Sequence, residues 1–241
     1  IFKAFWLKYL VKKSKFILCD SERLKEKMIR LGKDKNKIGI TMFGVDTDLY
    51  KKSTPIFSSK NIYIGSNRKF EPIYDIKTLL RAAKELIKDY SNINFLIAGD
   101  GSLKNEYINF VKNNKLESKV KFLGLLNREE MLRFYNSIDI YVSTSLSDGG
   151  LSSSIAEAMS FERLIFVTNN SDNKNWIEDG TNGFLFENQD SKQLVNLIKN
   201  NIKDIKKNRG LANSCRDIIL KNYSYKNEMK KVENIYRNLL L

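Results

Sequence analysis

Ile93-Asn94-Phe95-Leu96-Ile97-Ala98-Gly99-Asp100-Gly101-Ser102 is the stretch that decides the fold. An apolar run broken only by Asn94, and too short for a helix, reads as a strand buried on both faces. Gly99-Asp100-Gly101 then turns the chain tightly, and Leu103, Tyr107, Phe110 and Val111 follow at helical spacing. A strand, a tight turn and a helix make half of a βαβ unit, which belongs in a parallel sheet. The turn lacks the third glycine of a dinucleotide fingerprint, so as a sign of NAD or FAD it is weak.

The same alternation extends in both directions. Upstream, Asn61 to Ile64 is a strand, and Ile76, Leu79, Leu80, Ala83, Leu86, Ile87 and Tyr90 mark a helix. Downstream come strands at 120–124, 138–142 and 164–167, with helices over 128–136 and 153–161 between them. Gly180 to Gly183 turns into Phe184-Leu185-Phe186, and Leu194, Leu197, Ile198, Ile202 and Ile205 share one helical face. A last helix carries Tyr225, Met229, Val232, Tyr236 and Leu239. The fold class is therefore α/β, a Rossmann-like doubly wound parallel sheet. In such sheets ligands bind beyond the carboxyl ends of the strands, which points to the loops 66–74, 99–102, 124–128 and 144–152. Before this body, Phe16 to Cys19 reads as a strand, and Ser21 caps a helix stopped by Gly32. Lys37 to Ile40 reads as a further strand. The polar stretch 51–60 is the expected interdomain connection. Expected boundaries are 1–50, 51–215 and 216–241.

Bulk properties exclude several classes. There is no histidine, which removes His-based acid–base chemistry, Ser–His hydrolysis and most zinc sites. Cys19 and Cys215 are too few for a disulfide framework and read as packing residues. No apolar run is long enough to span a bilayer. The first residues show neither an initiator Met nor a signal pattern, and are expected to come from the middle of a longer chain. The net charge of +14 favours anionic partners, among them phosphorylated substrates and membrane surfaces, although lysines scattered throughout also fit a simple compositional bias. No nucleic-acid recognition motif is present, and nucleic acid is not an expected partner.

Two segments can carry chemistry. In Asp148-Gly149-Gly150-Leu151-Ser152-Ser153-Ser154-Ile155-Ala156-Glu157, glycines admit a ligand to the backbone, and helix-start N–H groups suit an anion. Glu157 stands among apolar and small neighbours, where a carboxylate needs donors such as a ribose diol. Asp148 can reach sugar hydroxyls. The competing reading has Asp148 and the serines capping the helix and Glu157 facing water. In Gly65 to Pro72, Arg68 and Lys69 suit a pyrophosphate, or else form a solvated basic loop.

These residues together resemble the C-terminal lobe of retaining glycosyltransferases of family 4, the group 1 glycosyl transferases of GT-B fold. Phe95 to Ser102 and Lys121 to Gly124 match that family's "IAGDG" and "V-F-L-G" runs, Asp148 to Met159 its Glu-x7-Glu motif, and Gly180 to Phe186 its "DG-NG" turn. Phe16 to Gly32 and Lys37 to Tyr50 resemble the end of the N-terminal lobe and the entry to the interlobe linker. The resemblance implies that Glu157 binds the nucleotide ribose and Asp148 the donor sugar. It implies that Gly149, Gly150 and Leu151 offer N–H groups, that Arg68 holds the diphosphate, and that Gly99 and Leu125 lie near the base. The sequence departs from the pattern in three ways. The first acid is Asp, one residue further from Glu157 than usual. Tyr74-Asp75 stands near where Lys-Gly is expected, leaving Lys69 as the substitute. Most of the N-terminal lobe, with the acceptor site, is missing.

The implied reaction is sugar transfer, with retention, from a nucleoside-diphosphate sugar to a glycan or lipid-linked acceptor in cell-surface polysaccharide assembly. No cofactor and no metal are expected. The expected setting is the cytoplasm, with the inner membrane face favoured by the basic surface. The alternatives are a non-catalytic nucleotide-sugar-binding module or subunit lacking its acceptor lobe, and another GT-B activity such as a phosphorylase or epimerase.

Overall fold

The computed structural model describes residues 2–148, 150, 152–170 and 173–240. Its body is a six-stranded, wholly parallel sheet. In chain order the strands are β3 (Ile62–Asn67), β4 (Ile93–Ala98), β5 (Val120–Gly124), β6 (Ile140–Ser143), β7 (Leu164–Thr168) and β8 (Phe184–Phe186). In space the order is β5-β4-β3-β6-β7-β8. The sheet thus grows one way from β3 and then the other way from β6. β3 and β6 are neighbours through Ile64 opposite Ile140 and Gly65 opposite Tyr141. The reversal leaves a crevice at their carboxyl ends, the switch point where open α/β sheets bind ligands.

Helices α3 (Ile76–Asp89), α4 (Lys104–Asn113) and α7 (Ser191–Asn201) cover one face, and α5 (Arg128–Ser137) and α6 (Ser153–Ser160) the other. Helix α8 (Ile205–Asn222) reaches both: Leu211 and Ala212 join the first core, Cys215 and Ile219 the second. Alternate strand residues serve the two faces. Ile140, Val142, Leu164 and Phe166 point one way, and Tyr141, Ile165 and Val167 the other. All of β6 and β7 is buried, so their sequences show no polar alternation. Helix α3 buries Ile76, Leu79, Leu80, Ala83 and Leu86 completely. Helix α5 begins with a reciprocal capping box between Asn127 and Glu130.

The N-terminal part holds α1 (Phe2–Lys13), β1 (Ile17–Cys19), α2 (Glu22–Arg30) and β2 (Ile38–Ile40). β1 and β2 form their own parallel pair. Ser21 caps α2 by accepting from Leu24 N at 3.3 Å, and Gly32 follows the helix at φ +95°, as the sequence suggested. Cys19 and Cys215 are buried and unpaired. The last helix, α9 (Tyr225–Leu240), is fastened to the segment after β2. Glu228, 1% exposed, accepts from Met42 N at 2.9 Å and from Thr41 Oγ1 at 3.0 Å, and Val45 N donates to Tyr223 O at 2.9 Å.

Four features add to or differ from the sequence reading. The stripe from Leu194 to Ile205 is not one helix: α7 stops at Asn201, and Asp204 caps α8 by accepting from Lys207 N at 3.0 Å. Residues 215 and 216, the expected boundary, lie inside that second helix. The stretch 51–60 has no helix or strand, yet it is tied down. Arg163, 1% exposed, donates to Thr54 O at 2.8 Å, and Ile56 and Phe57 enter the first core. Residues 2–13 form a helix that no apolar periodicity had indicated.

Candidate functional site

The chain leaves β3 at Asn67, so Arg68 emerges at the switch point. Its backbone is pressed against the loop after β4. Gly99 stands there at φ +136°, and a Cβ on it would lie 2.2 Å from Arg68 O. The "IAGDG" glycine therefore seats Arg68 through a close backbone approach that no side chain permits.

The guanidinium of Arg68 is engaged at all three of its nitrogens. Nε donates to Ser145 Oγ at 3.1 Å and Nη1 to Ser154 Oγ at 2.7 Å. Nη1 also donates to Ser152 Oγ, and Nη2 pairs with Asp148 Oδ1. The Tyr74 ring covers one face, its centre 4.6 Å from the guanidinium carbon, a cation–π contact. The Arg68 side chain is 11% exposed and that of Asp148 is 0%. Of the two readings of this loop, the solvated one fits only Lys69, which is exposed. The capping reading does not hold for Ser152: it is the N-cap of α6 but makes no side-chain capping bond, and its hydroxyl faces Arg68.

Glu157 does not face open water. It sits half-buried one turn inside α6, and Tyr135 donates to its Oε2 at 2.7 Å. Burial pushes its carboxyl above the ordinary value, and hydrogen bonds from Tyr135 and Tyr50 offset part of that rise. The same Tyr135 hydroxyl accepts from Asn67 Nδ2 at 2.7 Å, and Tyr141 donates to Asn67 Oδ1 at 2.8 Å. Burial holds Tyr135 well above the usual phenol range and raises Tyr141 to about 12, so both remain donors at neutral pH. A polar ladder thus runs from β6 through the end of β3 to Glu157.

Two hollows meet at Arg68. One, about 290 Å³, is lined by Asn67, Lys69, Ser154 and Glu157. The other, about 240 Å³, is lined by Asp20, Met42, Phe43, Gly44, Asp148 and Gly150. Arg68, Tyr74, Ser152 and Ser153 border both. Gly150, at φ +126°, brings its loop against the N-terminal part, where an added Cβ would lie 2.9 Å from Asp20 O. Leu125, 76% exposed, projects just beyond β5. Gly149 and Leu151 lie outside the described residues.

The structure thus gathers Arg68, Lys69, Asp148, Gly150 and Glu157 at one crevice. It also adds Ser145 and Tyr135, which the sequence did not single out, and gives a place in the site to Tyr74, read only as a departure from the family pattern, and to Phe43, read only as part of the linker entry. Tyr135 lies on a buried helix face and reads as core. Phe43 is 82% exposed, and only its place at the mouth of the second hollow gives it interest. At Tyr74-Asp75 the departure from the family pattern takes a definite form. Asp75 adopts the left-handed φ 43°, ψ 45° that suits the expected glycine, and an aromatic ring occupies the place of the expected cation. Among the described residues no cluster of His, Cys, Asp or Glu is arranged to hold a metal, and no helix is long and apolar enough to cross a membrane.

Residues 46–217 match the model of the family described as glycosyl transferases group 1. The chain is 24% identical over 177 residues to a poly(ribitol-phosphate) alpha-N-acetylglucosaminyltransferase of Staphylococcus aureus, covering 73% of this chain and 35% of that protein. It is 25% identical over 148 residues to a UDP-Gal:alpha-D-GlcNAc-diphosphoundecaprenol alpha-1,3-galactosyltransferase of Escherichia coli, covering 61% and 37%. The chain therefore spans well under half the length of these relatives. Among solved structures, Anabaena HepE in complex with UDP-glucose superposes with a TM-score of 0.85 at 19% identity, over 98% of this chain and 68% of that one. A glycosyltransferase of Rickettsia africae gives 0.87 at 19% identity, over 98% and 66%. At such identity these structures speak for the fold.

Proposed function

The chain belongs to the glycosyl transferases group 1 family, and from that premise we propose that it is the donor-binding part of a retaining, family 4 glycosyltransferase. The observation that carries the reading is the order of groups along the crevice. A half-buried carboxylate with tyrosine partners, Glu157, lies in the first hollow, a caged cation, Arg68, stands between the two, and Asp148 and Gly150 lie in the second. A nucleoside-diphosphate sugar has the same order: ribose, diphosphate, sugar.

In this reading Glu157 accepts from the ribose diol, and Leu125 and Gly99 flank the base. Arg68, with Lys69 at the rim and the N–H groups that the family resemblance assigns to Gly149, Gly150 and Leu151, meets the diphosphate charge. As the bond from the anomeric carbon to the diphosphate breaks, that charge grows on the leaving oxygen, and a preset cation stabilises it without reorganising. Asp148 serves the sugar. The acceptor, a glycan or a lipid-linked one, would meet the sugar on the side of residues 42–44, against a lobe supplied by the rest of a longer protein. The relatives named for sugar transfer to poly(ribitol-phosphate) and to alpha-D-GlcNAc-diphosphoundecaprenol support cell-surface polysaccharide synthesis as the setting. The basic surface supports a place at the inner face of the membrane. No resident metal enters this reading.

Calorimetric titration with UDP, GDP and ADP tests it. One of them should bind with 1:1 stoichiometry, and Glu157→Ala should weaken it by roughly tenfold or more, the cost of a charged hydrogen bond. Absence of binding by all three, or an unchanged affinity in Glu157→Ala, would sink the proposal. Sugar transfer by the full-length protein separates the enzyme from a non-catalytic binding module.

A further inference from the structure

Resting on the donor-site reading above, we propose that Asp148 is a resident counter-ion that competes with the donor's diphosphate for Arg68, and so weakens the hold on the product nucleotide. The partners of Arg68 are unequal. Ser145, Ser152 and Ser154 satisfy N–H groups but bring no charge, and the Tyr74 ring brings none either. Asp148 alone among these contacts is an anion, and its side chain is shut off from solvent.

A buried cation costs heavily without a counter-charge, and the pair is expensive to break from either side. Asp148 supplies that charge. A diphosphate arriving at Arg68 brings at least two negative charges to the place the carboxylate occupies. Two anions cannot share one guanidinium edge at such close range without strong repulsion. Binding is therefore an exchange: the pair with Asp148 opens as the pair with phosphate forms. The serine and tyrosine contacts keep the guanidinium in place while its anionic partner changes. Asp148 borders only the hollow assigned to the sugar, so the displaced carboxylate moves among hydroxyl donors while the donor is intact. Once the sugar has left, those donors are gone, and the carboxylate returns to compete for Arg68.

This role is opposite in sign to a plain sugar contact. A carboxylate that only holds sugar has no bearing on a ligand without sugar, and a carboxylate that only braces the loop weakens every ligand when removed. A competitor, once neutralised, strengthens phosphate binding. The test measures inorganic pyrophosphate and the nucleoside diphosphates UDP, GDP and ADP by calorimetry on the 241-residue chain. Asp148→Asn, which keeps shape and removes charge, should bind pyrophosphate and whichever nucleotide binds the parent roughly tenfold more tightly. Asp148→Glu, which restores the charge, should return affinity toward the parent value. Equal or weaker pyrophosphate binding in a folded Asp148→Asn overturns the proposal. If that variant fails to fold, Asp148→Ser should show the same gain, and equal or weaker binding there overturns the proposal in its turn. If neither the parent nor any Asp148 variant binds pyrophosphate or any of the three nucleotides, the donor-site reading itself falls. If the parent binds in an Arg68-dependent way but no neutral variant binds more tightly, only the competition falls.

Discussion

The six-stranded body and the N-terminal part treat apolar residues differently. In β6 and β7 every residue is buried, because helices cover both faces of the sheet. In α1 the opposite holds: Phe5, Trp6, Tyr9 and Leu10 are between 46% and 68% exposed, and Trp6 packs edge-on against Phe5 and Tyr9 of its own helix. The core of the N-terminal part is small, built from Val11, Cys19, Met28 and Ile38. Stability in this chain is therefore concentrated in the body. The proposed donor site lies at the junction, with Arg68, Lys69, Asp148 and Glu157 on the body and Asp20, Met42, Phe43 and Gly44 from the N-terminal side closing the second hollow.

The contrast breaks most sharply at Phe166. That ring is fully buried and stacks on Phe184 at 4.9 Å. Phe166→Ala should cost about 3–5 kcal/mol in chemical unfolding. A cost below that of a surface substitution would show that the sheet is not the stable unit. Next is Arg68→Ala, which strands a buried carboxylate. A stability loss of about 3 kcal/mol is expected, the lower end for a broken buried pair, together with loss of nucleotide binding. Normal nucleotide affinity in that variant would remove Arg68 from the site.

Glu157→Gln should go the other way. Burial raises the Glu157 pKa, so the fold favours its neutral form. For such a group the stabilising contribution is complete below the ordinary value of 4.5 and is lost as pH rises through the raised value. Between pH 4.5 and 7 the parent should lose stability relative to Glu157→Gln. Near neutrality the variant should be more stable by about 1 kcal/mol, a shift of roughly 2–4 °C in Tm, while binding nucleotide less well. Parallel stability–pH curves for the two proteins would refute the assignment. Smallest of all is Trp6→Ala, expected within about 0.5 kcal/mol of the parent because the ring is half exposed. A larger loss, measured in the same denaturant series, would show that α1 is anchored more firmly than its exposure indicates.

Much of this molecule is legible in its sequence. The strands announce themselves as short apolar runs, and α3 through the spacing of Ile76, Leu79, Leu80, Ala83 and Leu86, because burial from both faces leaves a pattern that local sequence records. The loops at 66–74 and 144–152 follow from the rule for parallel sheets, and both lie in the crevice. The start of helix α8 is hidden because Asp204, a polar cap, sits inside what looks like one apolar stripe. Helix α1 is hidden because its apolar residues do not lie on one side.

The parallel sheet, the position of Arg68 after a strand and of Glu157 inside a helix, and the lack of any histidine in the chain are already written in the order of the residues. These are matters of local order and composition. The choice between open readings of the same residues came from the folded chain. The fold paired Arg68 with Asp148 across 80 positions, put Tyr135 beneath Glu157, and laid the Tyr74 ring over the guanidinium. The physical reason is that an ion pair or a buried hydrogen bond depends on distance in space, and the reversal of strand order at β3 and β6 is what brings those distant loops to one edge.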